Sequence, residues 1–333
     1  MAKSTTKTNG KTNTVRRTAG RVRGPVQVTM AESLHPIIVD TMSITRCMAT
    51  NEKDREKGQT MGTKHRIGYA LYQFRVYVSP SDAQKSGFDA SDLRLFENSL
   101  LHLFDEDRAA RRELNIRKVF RALHTSKYGN VPAHEIFERI TAELKPNVSS
   151  PTSFKDYDIK VNTEGLLPTV QLTDLTAAYG TLDDIGTNTF EPITSRVEYL
   201  VFFEVINSNP NGDPNADDRP RQDSISGLGL VTDVCLKRKI RKFVLESQKG
   251  VPHREIFFQE GQLLNDLISK PYDNDPVVKA AFEAKKAGDK SIDTDSMAQT
   301  VLCRQYFDVR AFGAVLSTGD KEDVTVQEET EAV

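Results

Sequence analysis

The stretch from Val201 to Leu245 constrains the fold more than any other part of the chain. Val-Phe-Phe-Glu-Val-Ile at 201–206 reads as a buried strand, a short apolar and β-branched run bounded by turn residues. Asn-Ser-Asn-Pro-Asn-Gly-Asp-Pro at 207–214 is a tight polar turn, in which Gly212 permits a positive φ. A helix over Thr232–Ser247 follows, with Leu236, Ile240, Phe243 and Val244 on an apolar stripe that packs on the sheet. Its other side carries Lys237, Arg238, Lys239, Arg241 and Lys242, cations that repel one another unless an anion lies nearby. A solvated face is the plain reading of such a cluster, and a phosphate backbone is the sharper one.

The remaining pattern alternates strands and helices. Arg66–Ser79, rich in aromatic and β-branched residues, reads as a strand, and Ser91 opens a helix on Leu93, Phe96, Leu100, Leu103 and Phe104. Arg117–His124 is a second strand, Pro132–Leu144 a short helix stopped by Pro146, and Phe154–Val161 another strand. Val197–Ile206 starts a second unit, residues 250–297 form a mostly helical insertion, and Arg304–Leu316 is a closing strand. Two strand–helix–strand units side by side predict an α+β, ferredoxin-like sheet of the kind RNA-recognition modules use.

Several function classes are excluded. The net charge of the 333 residues is only -2, so a nucleic-acid surface must come from local segregation of charge. Cys47, Cys235 and Cys303 form no close pair, which argues against a disulfide framework and a zinc site. No run is apolar enough to span a bilayer and no secretory signal is present, so a cytoplasmic setting without membrane contact is expected. Walker loop, dinucleotide fingerprint and nucleophile elbow are missing, and the histidines show no metal spacing, so neither catalysis nor a cofactor is expected.

Longer motifs now combine. Asn-Pro-Asn-Gly-Asp-Pro at 209–214, Gly-Leu-Val-Thr-Asp-Val-Cys-Leu-Lys-Arg-Lys-Ile-Arg at 229–241 and Phe-Asp-Val-Arg-Ala-Phe-Gly-Ala-Val-Leu-Ser-Thr-Gly at 307–319 resemble the backbone subunit of type I-C CRISPR Cascade. So do Gly-Arg-Val-Arg-Gly-Pro-Val-Gln at 20–27, Ser-Ile-Thr-Arg at 43–46, Thr-Met-Gly-Thr-Lys-His at 60–65 and Asn-Val-Pro-Ala-His-Glu-Ile-Phe-Glu-Arg-Ile at 130–140. In that family the segment like 197–318 precedes the segment like 20–172; here the order is exchanged, as in a circular permutant.

The resemblance implies a ferredoxin-like palm, helical fingers and a thumb hairpin. It implies copies of the chain polymerising along a CRISPR RNA beside other Cascade subunits, while the guide pairs with target DNA. Composition makes 1–19 a disordered basic tail, and the resemblance makes 20–65 palm edge and thumb and 66–172 the second half of the palm. A Gly- and Thr-rich linker (173–195), which the resemblance takes as joining the family's usual termini, the first half of the palm with its insertion at about 250–297 (196–318) and a disordered tail made acidic by its composition (319–333) complete the division. The RNA-binding residues expected from it are Lys237, Arg238 and Arg241 on the helix; Asn209, Asn211 and Gly212 in the turn; Arg21, Arg23, Gln27, Ser317 and Thr318 around the opened loop; and Arg304 and Arg310 on one face of the closing strand. Ser43, Thr45, Arg46, Met61, Lys64 and His65 would form the thumb, with Met61 or Met48 as an apolar wedge beside a displaced base. A competing reading, a metal-dependent RNase of the type III backbone kind, would rest on Asp213, Asp217 and Asp218.

Overall fold

The computed structural model describes residues 11–46, 60–109, 113–181, 184–289, 291–318 and 321–326. Five strands come first: β1 (Lys11–Arg16), β2 (Gly20–Arg23), β3 (Val26–Val28), β4 (Ala31–Pro36) and β5 (Val39–Arg46). They precede β6 (Thr60–Val78), a strand of 19 residues. α1 (Pro80–Ser86) starts with proline where no N–H is needed, and α2 (Ala90–Leu101) starts from Asp89 in a capping box with Asp92. β7 (Glu113–His124), α3 (Ala133–Glu138), β8 (Ile140–Leu144), β9 (Tyr157–Val161) and β10 (Val170–Asp174) follow. The second half opens with β11 (Val197–Ser208), the short β12 (Gly212–Asp213) and β13 (Arg219–Pro220), and β14 (Leu228–Val231). α4 (Asp233–Ser247) is N-capped by Thr232. α5 (Leu264–Asn274), α6 (Pro276–Lys286), α7 (Thr294–Gln305) and α8 (Phe307–Phe312) then lead to β15 (Gly313–Leu316) and β16 (Lys321–Val326).

The fold is α+β around an eight-stranded sheet ordered β10-β7-β11-β6-β4-β14, with β3 and β5 also on β6. β11 lies antiparallel to both β6 and β7. Its side chains alternate between two cores. Tyr199, Val201, Phe203 and Val205 meet Leu95, Phe96 and Leu100 of α2 and Leu236, Ile240 and Val244 of α4. Leu200 and Phe202 face the other way, against Phe120, Phe137, Ile140 and Tyr157. A strand covered on both faces reads as a continuous apolar run. A third core joins α5, α6 and α7 to β2 and β15 through Leu267, Phe282, Leu302, Val22 and Leu316.

Several expectations need correction. Residues 304–305 end one helix and 307–312 form another, with Tyr306 extended between them, and only 313–316 form a strand. Leu302, Cys303, Tyr306 and Val309 pack into the helical core, and Gly313, at φ +79°, breaks the helix before β15. Residues 132–144 split into α3 and β8, because Ile140 to Leu144 pair with β9 in register Ile140↔Val161. The hairpin this makes, with α3, covers the sheet face that RNA-recognition modules use, so that face is no open platform.

The tails differ as well. Residues 11–16 and 321–326 pair as antiparallel strands from Lys11↔Val326 to Arg16↔Lys321, beyond the β15–β2 ladder that ends at Leu316↔Gly20. Residues 1–10 and 327–333 lie outside the described residues. The 173–195 segment is held rather than loose. Thr173 and Asp174 belong to β10, while Leu175 and Ile185 are buried in the main core. Farther along, the Thr189 and Phe190 N–H groups donate to Asp89 Oδ2 at 2.7 and 2.9 Å.

Candidate nucleic-acid interface

The cations of α4 do not form one free face. Arg241 Nε donates to Asp308 Oδ2 at 2.8 Å, and its guanidinium lies 5.1 and 5.2 Å from the Phe258 and Phe312 ring centres. Lys237 bonds Asp233 at 3.0 Å, one turn back on the same helix. Lys239 reaches Asp107, and Lys242 donates to the Glu106 carbonyl, which ties α4 to the short turn that follows α2. Arg238 differs: its side chain is 81% exposed, against 19% for Lys237 and 16% for Arg241, and its contact with Glu260 is long at 3.5 Å. Of the three expected phosphate contacts on this helix, Arg238 is the one the fold leaves in water.

The Asn-Gly turn holds the helix start. Asn211 Oδ1 accepts from the Thr232 N–H and hydroxyl, both at 3.0 Å, so it braces the residue that caps α4. Asn209 donates to the Asp218 carbonyl at 2.6 Å, while its Oδ1 is buried without a partner. Gly212 has no room for a side chain: a Cβ there would fall 1.7 Å from Asp218 Oδ1. Asp217 and Asp218 both take positive φ, 53° and 56°. Asp213 lies 3.7 Å from Arg221, and Asp217 lies 3.6 Å from the His65 ring. Among the described residues no group of three or more His, Cys, Asp or Glu side chains could hold a metal ion.

Arg310 does not share a strand face with Arg304. It is fully buried and donates to Asp92 and to the carbonyls of His253, Cys303 and Arg304. Arg304 stays exposed near the end of α7, 6.0 Å from the Phe190 ring. Around the opened loop Arg21 and Ser317 are exposed, and Arg23 lies 3.3 Å from Asp82. Gln27 bonds the Gly24 carbonyl at 2.9 Å, and Thr318 meets Asn265 at 3.2 Å.

The expected thumb is a hairpin of β5 with the first part of β6. Ser43 pairs with Thr63, Thr45 with Met61 and Arg46 with Thr60. Ser43, Thr45 and Lys64 are exposed, and His65 is buried at the base with Nδ1 3.0 Å from the Thr41 hydroxyl. The hairpin tip, including Met48, lies outside the described residues.

Three polar residues central to the fold escaped the sequence reading. Glu204, fully buried in β11, takes hydrogen bonds from Tyr69 (3.2 Å), Asn115 (3.1 Å) and Arg117. Its signal was a lone carboxylate inside an apolar strand, which demands buried donors. Asp89 and Asp92 signalled themselves by a three-residue spacing ahead of an apolar run, the pattern of a helix cap. Burial pushes the Asp89 pKa up, but the Asp92, Phe190 and Thr189 N–H groups outweigh it and hold the carboxyl below its ordinary value.

Comparison with known proteins adds two findings. The family profile described as CRISPR-associated protein Cas7 matches residues 5–162 and 195–330. A segment of 47 residues is 47% identical to the CRISPR-associated protein Cas7 of Haloferax volcanii, an alignment covering 14% of this chain and 14% of that protein.

Proposed function

Since this chain belongs to the CRISPR-associated Cas7 family, we propose that it is a non-catalytic backbone subunit that binds CRISPR RNA and multimerises along it. The effector would be of the type I-C Cascade kind, in which the guide pairs with target DNA and the protein holds the backbone. The observation that carries this reading is the β5–β6 hairpin, which extends from the central sheet with Ser43, Thr45 and Lys64 exposed. Short hydroxyls and a cation suit sugar-phosphate contact rather than base readout. Arg21 and Arg238 add exposed positive charge.

Circular permutation is part of the same proposal. Support comes from the ladder that brings the segments near both chain ends into register, Leu316↔Gly20 and Lys11↔Val326. The break in the family match, residues 163–194, takes in nearly all of the 173–195 segment read as joining the usual termini and begins ten residues before it. A cut and a join of this kind are tolerated where ends lie close at the surface.

The test is to mix the protein with CRISPR RNA and image the product by electron microscopy across a salt series. Filaments whose length follows the RNA, with affinity falling steeply with salt, are expected. A folded protein that stays monomeric and ignores the RNA at low salt ends the proposal. Among the described residues, no helix is long and apolar enough to cross a membrane.

A further inference from the structure

The turn from β7 to α3 presents a side chain that nothing nearby uses. Tyr128 is 82% exposed and makes no ring contact among the described residues. The turn is fixed without it. Asn130 Oδ1 accepts from the Thr125 N–H (3.0 Å), the Thr125 hydroxyl (3.3 Å) and the Ser126 N–H (3.2 Å). The Asn130 N–H donates to His124 Nδ1 at 2.9 Å, and the Tyr128 N–H to the Ser126 hydroxyl at 3.2 Å. Gly129, at φ +89°, sits on the Arg196 side chain, where a Cβ would come within 3.3 Å of Cδ. None of these bonds uses the Tyr128 side chain, so any residue but proline would leave them intact and the ring is not there for the fold.

Cations lie on the turn and on the elements it touches: Lys127 precedes the ring in sequence, Arg196 packs on Gly129, and Gln84, which Lys127 bonds, neighbours Lys85 in α1. Lys127 Nζ donates to Gln84 of α1, a neutral partner, at 3.2 Å. Lys85 and Arg23, 67% and 71% exposed, share Asp82, which is only 11% exposed. Arg196 meets Glu198, itself buried, at 2.6 Å. The exposed ends on this side of the turn are thus mostly cationic, with the paired carboxylates of Asp82 and Glu198 largely buried. It lies at the Val197 end of β11, where β7 pairs Leu123↔Val197. The thumb hairpin leaves the sheet at the other end, where Ser208↔Ile67 is the last pair. At a rise of roughly 3.3 Å per residue, the length of β11 separates the two by roughly 35 Å.

We infer that Tyr128 is a stacking platform for an unpaired nucleobase, with Lys127, Lys85 and Arg23 placed for the adjoining phosphates. This is a second single-stranded nucleic-acid contact, remote from the hairpin. It rests on the nucleic-acid reading above and adds to it a site and a ligand chemistry. An exposed aromatic ring flanked by cations suits stacking on any base, without sequence preference.

The chain has no tryptophan, so Tyr128→Trp introduces a single reporter. Saturable quenching of its emission by a single-stranded oligonucleotide, but not by duplex DNA, is the expected result. RNA and DNA oligonucleotides of equal length are titrated separately, and the one that quenches identifies the strand the site takes. Tyr128→Ala should weaken binding at least about fivefold, with Tyr128→Phe retaining it, because stacking needs the ring and not the hydroxyl. Oligonucleotides that shift the protein in a gel yet leave the emission unchanged overturn this site and spare the wider reading. Folded protein that binds no oligonucleotide at low salt overturns both. A blue shift that grows with protein concentration alone means the ring packs on a second copy, which also overturns it.

Discussion

Arg310 and Asp92 meet in a two-point ion pair, Nε to Oδ2 and Nη2 to Oδ1 both at 2.8 Å, with neither side chain exposed. The remaining guanidinium donors go to the His253, Cys303 and Arg304 carbonyls, so one fork ties α8, the end of α7, the loop after α4 and the start of α2 together. Breaking one partner of a buried pair leaves the other charge uncompensated, at a cost of about 3–5 kcal/mol. Arg310→Met is expected to lose that much in urea unfolding. Arg310→Lys should be destabilised too, since one ammonium cannot span all these acceptors. A lysine variant with wild-type stability would remove the fork from the account of the fold.

The two arginines of α4 separate packing from binding. Arg241→Glu sets a carboxylate against Asp308, which is fully buried and also accepts from the Phe257 and Phe258 N–H groups at 2.7 and 3.2 Å. A marked fall in the urea midpoint is expected. Arg238→Glu touches an exposed side chain and should stay within about 0.5 kcal/mol of wild type. Its effect belongs in RNA binding: weaker for all sequences, with the slope of log affinity against log salt reduced by about one. Unchanged affinity would remove Arg238 from the interface.

How far the sequence reached is clearest in this pair. The spacing of Leu236, Ile240 and Val244 correctly located the helix and its buried stripe, because burial is written in periodicity. The same spacing placed Arg238 and Arg241 among the cations of the polar side, yet one is in water and the other against Asp308. The acid that decides this is 67 residues away in sequence, beyond any local pattern. Arg310 was misplaced for a related reason. Its segment is rich in aromatic and β-branched residues, and the helical core, not strand pairing, uses them. The helical segment within 250–297 was legible because its helices are local in sequence, whereas the β5–β6 hairpin was expected from the resemblance and not from a local pattern.

Asp89 gives a pH dependence with a definite sign. Its carboxyl is held below its ordinary value, so its stabilising contribution is present above that value and is lost as pH falls through the lower folded value. The stability difference between wild type and Asp89→Asn should stay level from pH 7 to about 5 and shrink only in strong acid. The Thr189 and Phe190 amides should exchange faster in the variant, since Asp89 is their acceptor. A difference that already fades near pH 6 would mean another group controls it.

Gly313 tests how tightly β2 and β15 must approach. Its φ of +79° disfavours any side chain, and a Cβ would lie 2.4 Å from the Val22 carbonyl and 2.6 Å from the Gly24 nitrogen. Gly24 meets the same wall from the other side, 2.4 Å from the Ala311 carbonyl. Gly288 is the control: its φ is +112°, but nothing lies within 4 Å of its Cβ position. Gly288→Ala carries the conformational strain alone, on the order of 1 kcal/mol. Gly313→Ala carries strain plus a backbone collision and should cost clearly more, with the excess shared by Gly24→Ala because both force the same strands apart. In a double-mutant cycle the two alanines should therefore cost less together than the sum of their separate effects. Additive losses would show that each glycine relieves a separate contact and that the ladder has room to give.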